Sequence, residues 1–280
     1  MINIFSYGRL LRPKHWIKNL FLFSAPLFGG NLFLAQNAQI ALTSFVSFSL
    51  CASAVYIMND IADRQRDSFH PFKKDRPIAS GLLPVEHAIV ASISLLLLSI
   101  ILGIYLSKLF TAILTLYAAM QAFYTFYGKD MYIVDILLVA AGFILRMFAG
   151  AIAFEITVSP WLFVCLFTLS LILATGKRLS EFMLLQGSAA QHRTILSKYS
   201  LTQLRNILIV TSIASCAFYI LYVLEHRQFI PTVPFVILGI YRYLALVSKG
   251  FGEPIHAILR DRLLAVIVSA WLSVVIILMN

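Results

Sequence analysis

The sequence predicts an all-α, polytopic membrane protein, with about nine transmembrane helices around a polar cavity that faces the cytoplasm. Three observations predict it. Apolar residues fill 60 % of the 280 positions and charged residues 12 %, with a mean hydropathy of +0.89, too hydrophobic for a water-soluble domain. The apolar runs approach the roughly 20 residues that cross a bilayer core. The charge is gathered at one set of span ends instead of being spread through the loops.

The apolar runs place spans at about 17–35, 40–58, 86–106, 109–127, 131–154, 160–175, 206–224, 232–247 and 263–279. No polar stretch exceeds about thirty residues, so 1–280 reads as a single transmembrane domain. The opening "MINIFSYGRLLRPKHWIKNL" lacks the short apolar region and A-x-A site of a cleaved signal. Cys51, Cys165 and Cys216 lie in apolar runs and read as small buried hydrophobes, not as disulfides or a metal cage.

Nine spans put the chain ends on opposite sides, and basic residues choose the orientation. With the N-terminus inside, 18 of the 22 Lys and Arg fall on one face, Lys108 and Arg227 fall on the other, and Arg146 and Arg242 lie within spans. The basic face is therefore expected to be cytoplasmic. Most acids share it, including Asp60, Asp63, Asp67, Asp75, Asp130, Asp135, Glu181, Glu253 and Asp261. Bases alone would fit topology or anionic lipid; acids among them suggest a polar chamber.

The densest stretch is "YIMNDIADRQRDSFHPFKKDRPIASG", Tyr56 to Gly81. Asp60, Asp63 and Asp67 stand at i, i+3 and i+7, within about 60° of one another around a helix. Three carboxylates on one face repel unless a cation lies between them. With Asn59 adjacent and no His or Cys in the row, the donors are all oxygen and suit a hard ion such as Mg²⁺. Such an ion is usually held by few carboxylates plus substrate phosphates, and His70, Lys73, Lys74 and Arg76 stand by to meet phosphate oxygens. A solvated charged loop is the bland alternative.

A second constellation lies in "YGKDMYIVDILLVAAGFILRMFAGA". Asp135 and Arg146 sit inside the fifth apolar run, about 20° apart in helical phase, with Gly142 and Ala149 on the same stripe. Charges within a span usually face a cavity. Eleven residues separate the two by about 16 Å, too far for a direct pair, so each is expected to have its own partner. Lys129 and Asp130 mark the mouth of this span. "RPKHWIKN", "ATGKRLSE" and "GFGEPIHAILRDR" add further charge on the same face, with Lys177 and Glu181 at i, i+4.

"NDIADRQRD" resembles the N-D-x-x-D-x-x-x-D motif of the UbiA superfamily of intramembrane prenyltransferases. That resemblance implies nine transmembrane helices and a Mg²⁺-dependent cavity. Taken with "RPKHWIKN", "KDMYIVDILLVAAGFILRMFAGA", "SPWLFVCLFTLSLILATGKRLSE" and "GFGEPIHAILRDR", the chain is similar, from about residue 9 to 262, to the superfamily's decaprenyl-phosphate phosphoribosyltransferase branch. One departure bears on the donor. Where typical members carry a second D-x-x-x-D motif, this chain has Lys129, Asp130 and Asp135, and the two acids differ by about 140° in phase.

The resemblance implies transfer of a 5-phosphoribosyl group from phosphoribosyl diphosphate to a polyprenyl phosphate, with Mg²⁺ as cofactor. Asn59, Asp60, Asp63 and Asp67 are the implied metal-binding residues, and Asp60, Asp63, Asp67 and Asp135 the implied catalytic ones. Lys18, Asn59, His70, Lys73, Arg76, Lys129, Arg146, Lys177, Arg178 and Glu181 are the implied substrate-binding set. The acceptor phosphate is already anionic, which fits the absence of a His–acid dyad or a Ser/His/Asp set. The implied setting is a bacterial cytoplasmic membrane with the N-terminus inside; a homo-oligomer is left open, and nucleic acid is not among the expected partners. Two rivals remain. A typical prenyltransferase of the superfamily would move a prenyl chain onto an aromatic or lipid acceptor. A transporter would spread its intramembrane charges along a path and show internal repeats, and neither is seen. The D-G-x-x-A-R signature of CDP-alcohol phosphotransferases is absent as well.

Overall fold

A computed structural model describes residues 8–69, 73–184 and 198–279, and among them every regular element is helical. The chain is a multi-pass membrane protein: among the described residues eight helical segments are long and apolar enough to cross a bilayer. The eight expected spans from 40 onward fall on helices α2 (Ala38–Ala62), α4 (Val85–Leu106), α5 (Lys108–Phe126), α6 (Val134–Ala153), α7 (Pro160–Leu184), α8 (Leu201–Glu225), α9 (Val233–Val247) and α11 (Arg262–Met279). Short helices α1 (Ser24–Phe28), α3 (Arg64–Ser68) and α10 (Pro254–Arg260) complete the order. Val90, Leu97, Ile101 and Ile104 of α4 are exposed, as the apolar face of a lipid-bathed helix must be.

The expected first span, 17–35, is the exception. Pro13–Phe23 form a 3₁₀ helix, and only Ser24–Phe28 continue as α-helix. Pro26 has no N–H for the Leu22 carbonyl, so the α ladder fails there. That carbonyl instead lies against Gly150, where a Cβ would stand 1.7 Å from it; only glycine permits the approach. Eleven residues rising about 2.0 Å and five rising about 1.5 Å reach about 30 Å, the thickness of a bilayer core. The segment thus has the reach of a spanning element in sixteen residues.

The described chain forms two compact units. The first comprises residues up to Lys129 together with Leu145–Thr157. Small residues of α2, among them Ser47, Cys51 and Ala54, let it lie close along α4. The Ser47 hydroxyl donates to the Ser99 carbonyl at 2.9 Å and the Ser99 hydroxyl to the Ser47 carbonyl at 2.8 Å. Leu22, Phe48, Phe110, Leu114 and Tyr117 form this unit's core.

The second unit comprises Asp130–Ile144 and the chain from Val158. Ser200 starts α8 with a reciprocal cap: its hydroxyl accepts from Gln203 N at 3.1 Å, and the Gln203 side chain accepts from Ser200 N at 3.0 Å. Leu179, Leu204, Leu208, Tyr243 and Val247 are buried in its core. The Tyr243 hydroxyl donates to the Gly252 carbonyl at 2.8 Å. Gly252 lies so near the Gly176 carbonyl that a Cβ would come within 2.2 Å of it.

Candidate active site

The first unit gathers the acid row. Asp63 separates α2 from α3, yet the Asp63 N–H bonds the Asn59 carbonyl at 2.9 Å and the Asp67 N–H bonds the Asp63 carbonyl at 2.8 Å. The helical ladder therefore runs across the join and keeps the phase of the row. Asp60 and Asp67 are buried, at 3 % and 4 % exposure. Asp60 Oδ1 accepts from Arg12 Nη2 at 2.5 Å and from Arg76 Nη1 at 3.0 Å. The same Arg76 Nη1 donates to Asp67 Oδ2, so one guanidinium nitrogen bridges two carboxylates. Lys73 Nζ stands 3.9 Å from Asp67 Oδ1. Asp63 turns elsewhere and accepts from Lys129 Nζ at 2.5 Å. The Asn59 side-chain oxygen accepts from the Thr125 hydroxyl at 3.3 Å. His70 lies outside the described residues.

Arg12 was not among the residues singled out by the motif. It lies 48 positions before Asp60 and adopts left-handed backbone angles, φ 51° and ψ 54°, just before Pro13. The right-handed region is disfavoured before proline, and the left-handed one strains a side chain that is not glycine. The ion pair with Asp60 is among the contacts that accompany this strained backbone. The signal in sequence was Arg-Pro at the start of a basic run, which positive-inside topology explains equally well.

The second unit gathers Asp135, Arg178, Glu181 and Tyr199. Asp135 is fully buried; Arg178 Nε donates to its Oδ2 and the Tyr199 hydroxyl to its Oδ1, the latter at 2.6 Å. Arg178, 1 % exposed, also donates Nη1 to Glu181 Oε2 at 2.5 Å. The Tyr199 hydroxyl accepts the Ile133 N–H at 2.8 Å, which holds Ile133 at φ 64°, a strained angle for a β-branched residue. Burial, then the adjoining carboxylate, push the Tyr199 phenol above its ordinary range, so it stays a donor. α7 runs to Leu184 instead of ending near 175, which puts Lys177, Arg178 and Glu181 on a helix. Lys177 pairs with Glu253 at 2.9 Å. Glu253 lies in the charged stretch "GFGEPIHAILRDR", whereas Tyr199 carried no motif that would select it from sequence.

Arg146 belongs to the first unit, as the second half of α6 does. It is 3 % exposed; Nε donates to Asn19 and Nη2 to the Tyr117 hydroxyl, both at 2.8 Å. Its guanidinium lies 4.7 Å from the Tyr117 ring centroid and 5.2 Å from that of Phe48. Asp135 and Arg146 therefore have separate partners, as their spacing predicts. Lys18, half-buried, precedes Asn19 on the 3₁₀ helix. The three cysteines are free thiols.

Among the described residues no group of three or more His, Cys, Asp or Glu side chains could hold a metal ion by itself. Two features nonetheless fit a hard divalent ion. The donors of Asn59, Asp60 and Asp67 are all oxygen. Arg76 Nη1 is a stand-in cation between Asp60 Oδ1 and Asp67 Oδ2, so that position already stabilises positive charge. Two carboxylates there leave the remaining ligands to substrate or water, the usual habit of Mg²⁺.

A helical membrane protein with an Asn-Asp row beside arginines and lysines is the kind of molecule that handles anionic substrates at a bilayer. Residues 23–277 match the model of the UbiA prenyltransferase family, and the chain belongs to that family. It is 35 % identical over 282 residues to the decaprenyl-phosphate phosphoribosyltransferase of Corynebacterium glutamicum, covering 96 % of this chain and 85 % of that one. The Mycobacterium tuberculosis protein of the same name is 33 % identical, covering 95 % and 92 %. A UbiA homolog from Archaeoglobus fulgidus, solved bound to GPP and Mg²⁺, superposes with a TM-score of 0.76 over 98 % of this chain and 99 % of that one; at 18 % identity this likeness shows the fold.

Proposed function

We propose that this protein transfers the 5-phosphoribosyl group of phosphoribosyl diphosphate to a polyprenyl phosphate, releasing diphosphate, at the cytoplasmic face of a bacterial inner membrane. The observation that carries the reading is the acid row itself: three carboxylates in company with Arg12, Lys73, Arg76 and Lys129. A row with so many cations suits a heavily phosphorylated, water-soluble donor. Lys129 opposite Asp63 favours a phosphate group at the point where a second metal-binding acid pair would serve prenyl diphosphates.

In this reading Asp60 and Asp67, with Asn59 and Asp63 near them, would hold Mg²⁺. The ion supplies charge neutralisation for a departing diphosphate. Arg12, Arg76, Lys73 and Lys129 bind donor phosphate oxygens with charge-assisted hydrogen bonds. In the second unit Lys177 is the candidate for a substrate phosphate, while Arg178 and Tyr199 hold Asp135 in a fixed orientation. The new bond joins an acceptor phosphate oxygen to the ribose anomeric carbon, and the bond from that carbon to the diphosphate breaks. The nucleophile is anionic near neutral pH, so no residue is needed to take a proton from it.

Purified protein with Mg²⁺, labelled phosphoribosyl diphosphate and polyprenyl phosphates of several lengths tests the reading. A labelled lipid product and free diphosphate are expected. Consumption of a prenyl diphosphate with phosphoribosyl diphosphate untouched would overturn it in favour of prenyl transfer.

A further inference from the structure

We propose that Arg76 is a resident counter-cation that occupies the metal position of the acid row, and that its displacement makes divalent metal and diphosphate bind as a coupled pair. The inference rests on the proposed reading only in taking a divalent ion and a diphosphate as ligands of this row.

Charge is the first argument. Asp60, Asp63 and Asp67 bring three negative charges, and Arg12, Lys73, Arg76 and Lys129 bring four positive ones within 3.9 Å of those carboxylates. The chain's own cations already over-compensate the row. A bare divalent ion would add two more positive charges to a partly buried cluster, where like charges repel strongly.

Geometry is the second. Among the described residues only Arg76 touches two of the carboxylates, through a single nitrogen. A divalent ion bridging Asp60 and Asp67 needs the space that nitrogen holds. Of the row's carboxylates, Arg12 reaches Asp60 and Lys129 reaches Asp63 among the described residues, so neither spans the bridge.

Mobility is the third. The Arg76 side chain is 25 % exposed, against 4 % and 5 % for the carboxylates it joins, and it rises from a turn in which the Arg76 N–H bonds the Lys73 carbonyl at 3.0 Å. It can swing out where they cannot. A bare ion would take both carboxylates from Arg76 and offer it no acceptor in return. A diphosphate arriving with the ion offers the planar guanidinium fork a pair of anionic phosphate oxygens in exchange, each accepting one N–H. Metal alone therefore binds weakly, diphosphate relieves the penalty, and reciprocity requires metal to tighten diphosphate by the same factor.

Mn²⁺ binding to the full chain in nanodiscs, read by electron paramagnetic resonance with and without inorganic diphosphate, tests this. The association of Mn²⁺ with diphosphate in buffer is subtracted. For the wild type, diphosphate should tighten Mn²⁺ by about tenfold or more, within the usual range of coupling between sites. Arg76→Gln should bind Mn²⁺ alone several-fold more tightly than the wild type and lose most of the coupling. Arg76→Lys keeps one charge without the fork and should fall between. Equal wild-type Mn²⁺ affinity with and without diphosphate overturns the inference, as does an Arg76→Gln protein, folded by its thermal midpoint, whose Mn²⁺ binding alone is unchanged or weaker. If Mn²⁺ binds under neither condition, the proposed metal-dependent function falls as well. If Arg76→Gln does not fold, the wild-type comparison and Arg76→Lys still decide.

Discussion

The acid row of the first unit and the Asp135 cluster of the second are built from the same residue types and differ in closure. Around Asp60 and Asp67 the cations reach the surface: the side chains of Arg76 and Lys73 are 25 % and 39 % exposed. Around Asp135 the arginine is 2 % exposed, and the carboxylate's two oxygens accept from Arg178 and Tyr199. The first cluster has partners that can leave for a ligand. The second has partners that cannot leave without stranding a buried charge. The two clusters thus differ in solvent access, which on the proposed reading suits exchange in the first and fixation in the second.

The sharpest way to break this contrast is Asp135→Asn. Removing one member of a buried pair typically costs about 3–5 kcal/mol, because the other charge is left uncompensated. The variant should show a thermal midpoint several degrees lower in detergent, whatever substrate is present. An unchanged midpoint with loss of one substrate's binding would move Asp135 to the exchangeable class.

Asp67→Asn should behave in the opposite way. Arg76 can turn to water, so the folded protein should survive with a midpoint close to the wild type. Turnover should drop by about 100-fold or more, the scale of losing one charge-stabilising group at a reacting centre. Steady-state rates with the labelled donor check this, and near wild-type turnover would remove the acid row from the site.

Arg146→Lys comes next. Arg146 joins the 3₁₀ segment to α5 through Asn19 and Tyr117, all within the first unit. Lysine keeps the charge but loses the planar fork, at a cost of about 1–3 kcal/mol for charge-assisted bonds. A lower midpoint with donor and acceptor affinities changed alike marks a structural role. Selective loss of donor binding marks the donor-site role that its place in the sequence suggests.

Much of this contrast is legible in the sequence, and the missing part has a common cause. The spans from 40 onward follow from hydropathy, and the placing of Asp60 with Asp67 follows from their seven-residue spacing, because both depend on helical period alone. The partner of Asp63 does not follow from period: its carboxylate accepts from Lys129, 66 residues away. The first span was expected as one long helix. Its residues 17–23 are 3₁₀ and 24–28 α-helical, with the Leu22 carbonyl set against Gly150, and that approach is a tertiary fact. Arg12, Tyr117 and Tyr199 share this property: each is chosen by a contact tens of residues distant, which no local pattern encodes.

The smallest effect concerns a partly exposed pair in the second unit, Arg242 with Asp261. Asp261 accepts from Arg242 Nε at 3.0 Å and Nη2 at 2.6 Å, and from the Leu264 N–H at 2.8 Å where α11 begins. The hydrogen bond from Arg242, then that from the Leu264 backbone, hold the Asp261 carboxyl below the ordinary carboxylate range. A carboxyl whose pKa is lowered on folding adds stability that is full above its unfolded value, about 3.9, and is lost as pH falls through the folded value. The thermal midpoint should therefore fall in acid more for the wild type than for Asp261→Asn, and the two curves should converge once the pH is below the lowered folded value, where the carboxyl is protonated in both states. The gap at neutral pH should shrink with added salt, because an exposed pair is screened. A wild-type pair that kept its advantage at low pH would show that Asp261 holds α11 through backbone capping alone, with the Arg242 contact adding nothing.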